Sequence, residues 1–238
     1  MYNLLIALGA GVAATLVFGF ALGGGAFSVL YGLIPGILTL IGVYIYLARK
    51  HFNEFREIAE QAQQQIQNRN IDPAVETLKE AYPLGEWQFL IKPQIDAQIG
   101  QILFSAQRLD DAEPYLKRAF SKNWVARAML GVYYYKNRKW DKMREAFEDA
   151  VVANKDKPLL WNVYAYCLWK SRNRSDAIDV LNRALEHNEG DKKTKQNLNA
   201  LKNNSKMKMR GWGNMWYQFH LDRPPQAQMQ NRVQFGRR

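Results

Sequence analysis

WVARAMLGVYYYKNRKWDKMREAFEDAVVANKDK, residues 124–157, is followed by PLLWNVYAYCLWKSRNRSDAIDVLNRALEHNEG, residues 158–190, and a shift of 34 positions lays one on the other. Leu130, Gly131, Tyr134, Met143, Phe147 and Ala150 fall on Tyr164, Ala165, Leu168, Ala177, Leu181 and Ala184. Large and small residues recurring at fixed offsets mark a helix pair repeated along the chain. The second helix of a pair approaches the first closely only where glycine or alanine removes bulk. Such stacks share a core and present a long surface, which suits them to binding rather than to reaction.

The same pattern extends on both sides. Ile99 and Gly100 precede a loop at Arg108 to Asp110, after which Ala112, Leu116 and Ala119 form a matching second-helix face, with Pro114 tolerated in the first turn. Asp110 and Asp111 are expected to cap that helix rather than hold a metal, because an N-cap carboxylate satisfies unpaired backbone N–H groups. Earlier, Asp72 and Pro73 are read as the start of a helix whose face is Ala74, Leu78 and Ala81. Phe52, Phe55, Ala59, Ala62 and Ile66 recur at the spacing of one helix face. Beyond the repeats, Lys192 to Leu201 reads as a capping helix with Leu198 and Leu201 turned inward.

Charge divides the chain. Residues 1–48 contain no Asp, Glu, Lys or Arg; residues 49–190 carry a net +2, and residues 191–238, with 11 basic and 2 acidic side chains, carry +9 of the total +11. The uncharged start holds two apolar segments, 3–21 and 27–48, each long enough to cross the roughly 30 Å hydrocarbon layer as a helix. Gly23, Gly24 and Gly25 separate them, which predicts an antiparallel hairpin with both ends on one side of the membrane. Arg49, Lys50 and Arg56 assign that side to the cytoplasm. A secretory signal peptide in residues 1–25 is the rival reading, but it lacks a charged n-region and a second apolar span follows at once.

Gly19 with Gly23, and Gly32 with Gly36, form small-xxx-small pairs, read as the packing of one arm on the other. Pro35 is expected to kink the second span, and the absence of ionisable groups argues against an ion pathway. Neither Pro nor Gly lies between Gly42 and Asp72, so the second span is expected to run on as one rod into the first repeat helix, fixing its angle to the bilayer.

The repeated pattern resembles the tetratricopeptide repeat, whose order is W-x2-L-G-x2-Y and then A-x3-F-x2-A. Leu130, Gly131, Tyr134, Phe147 and Ala150 fit it, with Met143 where Ala is usual; Trp161, Ala165, Ala177 and Ala184 fit it in the next unit. The unit near 93–123 is short, and the one near 55–88 keeps mainly its second helix. The resemblance covers about 55–190 and implies an all-α fold of about four repeats plus a cap. The expected organisation is a transmembrane helical hairpin over 1–48, a tetratricopeptide-like α-solenoid over 49–204 and an irregular basic, aromatic tail over 205–238.

In the resembled family the first helices line a groove that binds partners. Carried over by position, the groove residues are Gln94, Gln101 and Phe104, flanked by Ala97 and Ser105, in one unit; Val125, Val132, Tyr135 and Lys136, with Ala128, in the next; and Asn162, Tyr166, Trp169 and Lys170, with Leu159, in the last. That lining suits an extended or helical peptide with apolar anchors and a carboxylate. Most of the Lys and Asn positions that clamp chaperone tails are missing, which disfavours that ligand. Tyr134 and Trp161 are better read as filling gaps between helices. The resemblance reaches bacterial inner-membrane repeat proteins that regulate envelope assembly, without the metal-binding ribbon of one such group.

From Ser205 helical periodicity is lost, and Lys206, Lys208 and Arg210 mix with Trp212, Trp216, Tyr217 and Phe219. Cations with aromatics suit anionic lipid headgroups or RNA. Docking on a protein, either a partner or the chain's own groove, ranks first. Gly211, Gly213, Pro224 and Pro225 set bends, and Met207, Met209 and Met215 suit adaptable contacts. Residues 226–238 are expected to stay extended until bound.

His51, His187 and His220 lie far apart without metal-ligand spacing, and the lone Cys167 falls in an apolar helix where burial is expected. No catalytic residue, cofactor, metal or small-molecule substrate is assigned. The expected role is a membrane-anchored scaffold that binds proteins and helps assemble a multiprotein complex, placed in a bacterial inner membrane with both termini cytoplasmic. A tether for RNA or ribosomes through the tail, and a noncatalytic subunit of a transport or motility complex, are the alternatives.

Overall fold

The computed structural model describes residues 1–23 and 28–224; Gly24, Gly25, position 27, Pro225 and the segment 226–238 lie outside the described residues. No strand occurs among the described residues, and the helices pack as two compact units, Met1–Ile95 and Asp96–Arg238.

In the first unit, α1 (Tyr2–Ala21) lies antiparallel to α2 (Val29–Gln67). Small residues set their spacing. A methyl on Gly32 would run into the Thr15 carbonyl, and one on Gly36 into the Thr15 hydroxyl, which donates 3.0 Å to the Gly11 carbonyl. Both helices are long and apolar enough to cross a membrane, and only 17% and 11% of their most apolar windows are buried. Their leucines and isoleucines therefore face outward and form no core. α2 remains one helix through Pro35 and past Arg49 to Gln67.

α3 (Ile71–Glu80) folds back on the end of α2, burying Ala74 and Leu78 with Phe55 and Ala62, and Thr77 donates 3.1 Å to Gln65. Asn70 occupies the N-cap position; Asp72 sits within the first turn, beside the positive end of the helix dipole. A short helical turn, α4 (Leu84–Trp87), precedes α5 (Ile91–Ser105).

In the second unit the C-terminal part of α5 pairs with α6 (Leu109–Arg118), α7 (Trp124–Lys136) with α8 (Trp140–Ala153), and α9 (Pro158–Lys170) with α10 (Arg174–His187); α11 (Lys192–Lys202) closes the series. The small residues of the sequence pattern are the contact points. A Cβ on Gly100 would lie 2.7 Å from Leu116, and one on Gly131 would lie 2.6 Å from Phe147. Ala165 and Leu181 hold the corresponding places and are fully buried. Tyr134 and Trp161 are buried between helices, and the Phe147 ring stacks on Tyr164 at 4.9 Å.

Asp110 and Asp111 do not cap α6. The helix begins at Leu109, so both carboxylates fall in its first turn, where Asp110 accepts from the Tyr133 hydroxyl at 3.0 Å and Asp111 from Arg108 at 2.8 Å.

One turn recurs along the whole chain. Arg69, Gln107, Arg138, Arg172 and Asn204 all take positive φ, and after each the next N–H returns to a carbonyl five residues back. Lys139 to Tyr134 and Asn173 to Leu168, both 2.9 Å, are examples. The positive-φ residue itself donates to the carbonyl three residues back, and the two hydrogen bonds together satisfy the last carbonyls of a helix and reverse the chain. None of the five positions is glycine.

Candidate partner-binding face

The first helices α5, α7 and α9 carry the positions inherited from the repeat pattern, and in Asp96–Arg238 they fall into three groups. Phe104, Val132 and Asn162 are fully buried. Gln101 is spent on the scaffold: it donates 3.1 Å to the Asn123 side chain, which itself caps α7 by accepting from Ala126 N–H. Val125, Tyr135, Lys136 and Trp169 are half-buried, Tyr166 is nearly covered, and Lys170 is exposed with its ammonium 4.8 Å from the Trp169 ring centre. Gln94, on the N-terminal part of α5, belongs to the Met1–Ile95 unit.

What covers this face is the chain's own tail. After α11 the backbone runs extended, and the alternation Lys206, Met207, Lys208, Met209, Arg210 becomes a two-sided strap with both methionines buried and the three cations outward. A period of two is the signature of extended chain. A turn at Arg210–Trp212 and Gly213, whose φ of 60° and ψ of −140° suit glycine alone, leads into α12 (Asn214–Tyr217). There Trp216 and Phe219 become fully buried. The Trp216 ring meets Tyr166 edge-on at 4.8 Å, Phe219 lies 6.4 Å from Trp124, and the His220 ring 6.0 Å from Phe104. Trp212 and Tyr217 are half-buried, with Lys193 stacked 4.6 Å over the Trp212 ring.

A buried amide chain holds the strap. Asn162 donates to Thr194 at 2.7 Å and accepts from Asn197 at 2.8 Å; the Asn197 oxygen then accepts the backbone N–H of Lys208 at 2.7 Å. Thr194 and Asn197 on α11 escaped the sequence reading, although two polar residues on the inward side of an otherwise apolar helix face mark a hydrogen-bonded contact. The period-two alternation over 206–210 was the other available signal.

Electrostatics follows from this seating. Burial, and then the Asp222 charge, pushes the Tyr166 hydroxyl up to about 12. Burial holds the Lys136 ammonium below its ordinary range, and burial followed by the Lys136 charge does the same to His220. Burial alone pushes the Cys167 thiol well up, which keeps it protonated and unreactive. Beside the strap a pocket of about 640 Å³ is lined by Tyr166, Trp169, Lys170, Lys193, Lys208 and Asp222 among others.

The tail aromatics thus separate by role. Trp216 and Phe219 are core residues of the second unit and offer no ring to bases or lipid. Lys206, Lys208 and Arg210 remain exposed.

No curated protein matches the sequence at a significant level. Among solved structures the crystal structure of MamA protein is similar, with a TM-score of 0.47 and 17% identity, covering 76% of this chain and 93% of that one. Residues 128–192 match the tetratricopeptide repeat family. From within α7 to the start of α11, the chain is therefore similar to tetratricopeptide repeats.

Proposed function

We propose that the protein is a membrane-anchored scaffold whose first-helix face takes up a segment of a partner protein, and that it helps assemble or position a multiprotein complex on the cytoplasmic side of a bacterial inner membrane. The observation that carries this reading is the tail itself. A short aromatic segment, Trp216 to Phe219, already lies against Tyr166 and Trp124, so the face accepts peptide chemistry of that kind. The indole N–H of Trp216 is buried without an acceptor among the described residues, an imperfection that a better-matched segment would remove. Partial cover by the tail also leaves Tyr135, Trp169 and Lys170 for contact. Apolar, outward-facing α1 and α2 support the membrane location. Readings in which the tail stacks on RNA or inserts into lipid lose the rings they need, since Trp216 and Phe219 face inward.

The test is photocrosslinking in intact membranes from a probe at Trp169, with a probe at Val152 on α8 as control. A discrete set of protein adducts specific to Trp169 is expected. Adducts to RNA alone, or identical protein adducts from both positions, contradict the proposal.

A further inference from the structure

The segment between α3 and α5 carries large apolar side chains that the fold leaves uncovered. Trp87 is 39% exposed, Phe89 66% and Leu90 37%. Their position is fixed by Gln88, which accepts 3.3 Å from Asn3 on α1 and donates 3.2 Å to the hydroxyl of Tyr44 on α2. Trp87 stacks on His51 at 5.2 Å and tilts against Tyr2 at 5.2 Å. Met1, Leu4, Tyr44, Trp87, Gln88 and Phe89 together enclose an apolar pocket of about 350 Å³.

Tyr44 stands five residues before Arg49, the first charged residue of the chain. At a rise of 1.5 Å per residue that is about 7.5 Å to the apolar side of the charge. Side chains on a helix lean toward its N-terminus, so the Tyr44 hydroxyl is not lifted back toward Arg49. A segment bonded to Tyr44 and stacked on His51, one on each side of Arg49, exposes Trp87, Phe89 and Leu90 at the bilayer's interface once α2 crosses it. Trp and Tyr favour this depth, where an apolar ring meets a wet polar edge. Arg49 and Lys50, both exposed, stand at the level of lipid phosphates.

We infer that residues 84–90 form a membrane-interface anchor: Phe89 and Leu90 enter the boundary between headgroups and acyl chains, and the pocket at Tyr44 and Trp87 accepts part of a phospholipid acyl chain. The inference rests on the membrane reading of α1 and α2, and adds a third contact with the same bilayer. That contact continues the outward apolar surface of the two helices, and the neighbouring cations complement a phosphate headgroup.

The experiment uses the full chain with Cys167→Ala, reconstituted in phosphatidylethanolamine and phosphatidylglycerol vesicles, with an environment-sensitive dye on one introduced cysteine: Phe89→Cys, Leu38→Cys within α2, or Val152→Cys on α8. Lipids carry a nitroxide quencher near the headgroup or near the chain end. The dye at position 89 is expected to lose emission chiefly with the shallow quencher, the dye at 38 with the deep one, and the dye at 152 with neither. Quenching at 38 but not at 89 overturns the interface anchor while leaving the hairpin in the bilayer. No quenching at either position overturns the membrane reading, and the anchor with it.

Discussion

At Asn197 one side chain joins three elements: its amide donates to Asn162 on α9, and its oxygen receives the N–H of Lys208 in the strap. Asn197→Ala leaves buried groups on both sides without partners, at about 1–3 kcal/mol for each group that water cannot reach. The expected result is faster hydrogen exchange at the Lys208 amide while amides within α7 and α8 keep their protection. Arg138 tests the opposite sign. Its φ of 55° is unfavourable for a side chain with a Cβ, so Arg138→Gly is expected to be neutral or to stabilise by up to about 1 kcal/mol in denaturant unfolding.

Tyr166 gives a pH dependence. Its folded value of about 12 lies above the ordinary value of 10.0, so an unfolded chain releases this proton first. The neutral hydroxyl therefore contributes stability that is complete below about pH 10 and is lost as pH rises toward 12. Ultraviolet titration of tyrosinate should show a late component that Tyr166→Phe diminishes by one hydroxyl, because burial also raises Tyr133 and Tyr164. At this scale the sequence was partly legible. Gly100, Gly131 and Ala165 announce close helix contacts because only small residues fit there, whereas the Asn162, Asn197 and Lys208 contact joins residues far apart in the chain and leaves no periodic trace.

Among elements, the tail is the one whose chemistry changes most on folding. Trp216→Ala is expected to weaken its seat by about 3–5 kcal/mol, as for other large-to-small changes at buried aromatics. Brief trypsin treatment should then cut faster after Lys206, Lys208 and Arg210, with α9 and α10 still resistant. The helix pairs could be read from 3.6-residue periodicity and small-residue spacing. In the tail the period-two alternation over 206–210 marks an extended strap, but the face that buries Met207, Met209, Trp216 and Phe219 lies far away in the chain and could not be read from it. The missing glycines in the five reversing turns hid those turns in the same way: Arg69, Gln107, Arg138, Arg172 and Asn204 look like ordinary surface residues until φ is known.

For the whole molecule, the sequence separates an uncharged start, a nearly neutral middle and a basic end, and the uncharged start is what the membrane part of the proposal rests on. On the membrane reading, alkaline carbonate washing is expected to leave the full chain in the membrane pellet, and removal of residues 1–48 is expected to release it. Partner adducts at Trp169 would survive that release only if they depend on the first-helix face rather than on the apolar helices. The strap has a further consequence for the order of biosynthesis. Because a ribosome makes α5, α7 and α9 before Trp216 and Phe219, the aromatic seat stands open on every nascent chain until those two residues have been added, and whatever meets it in that interval competes with a segment not yet made.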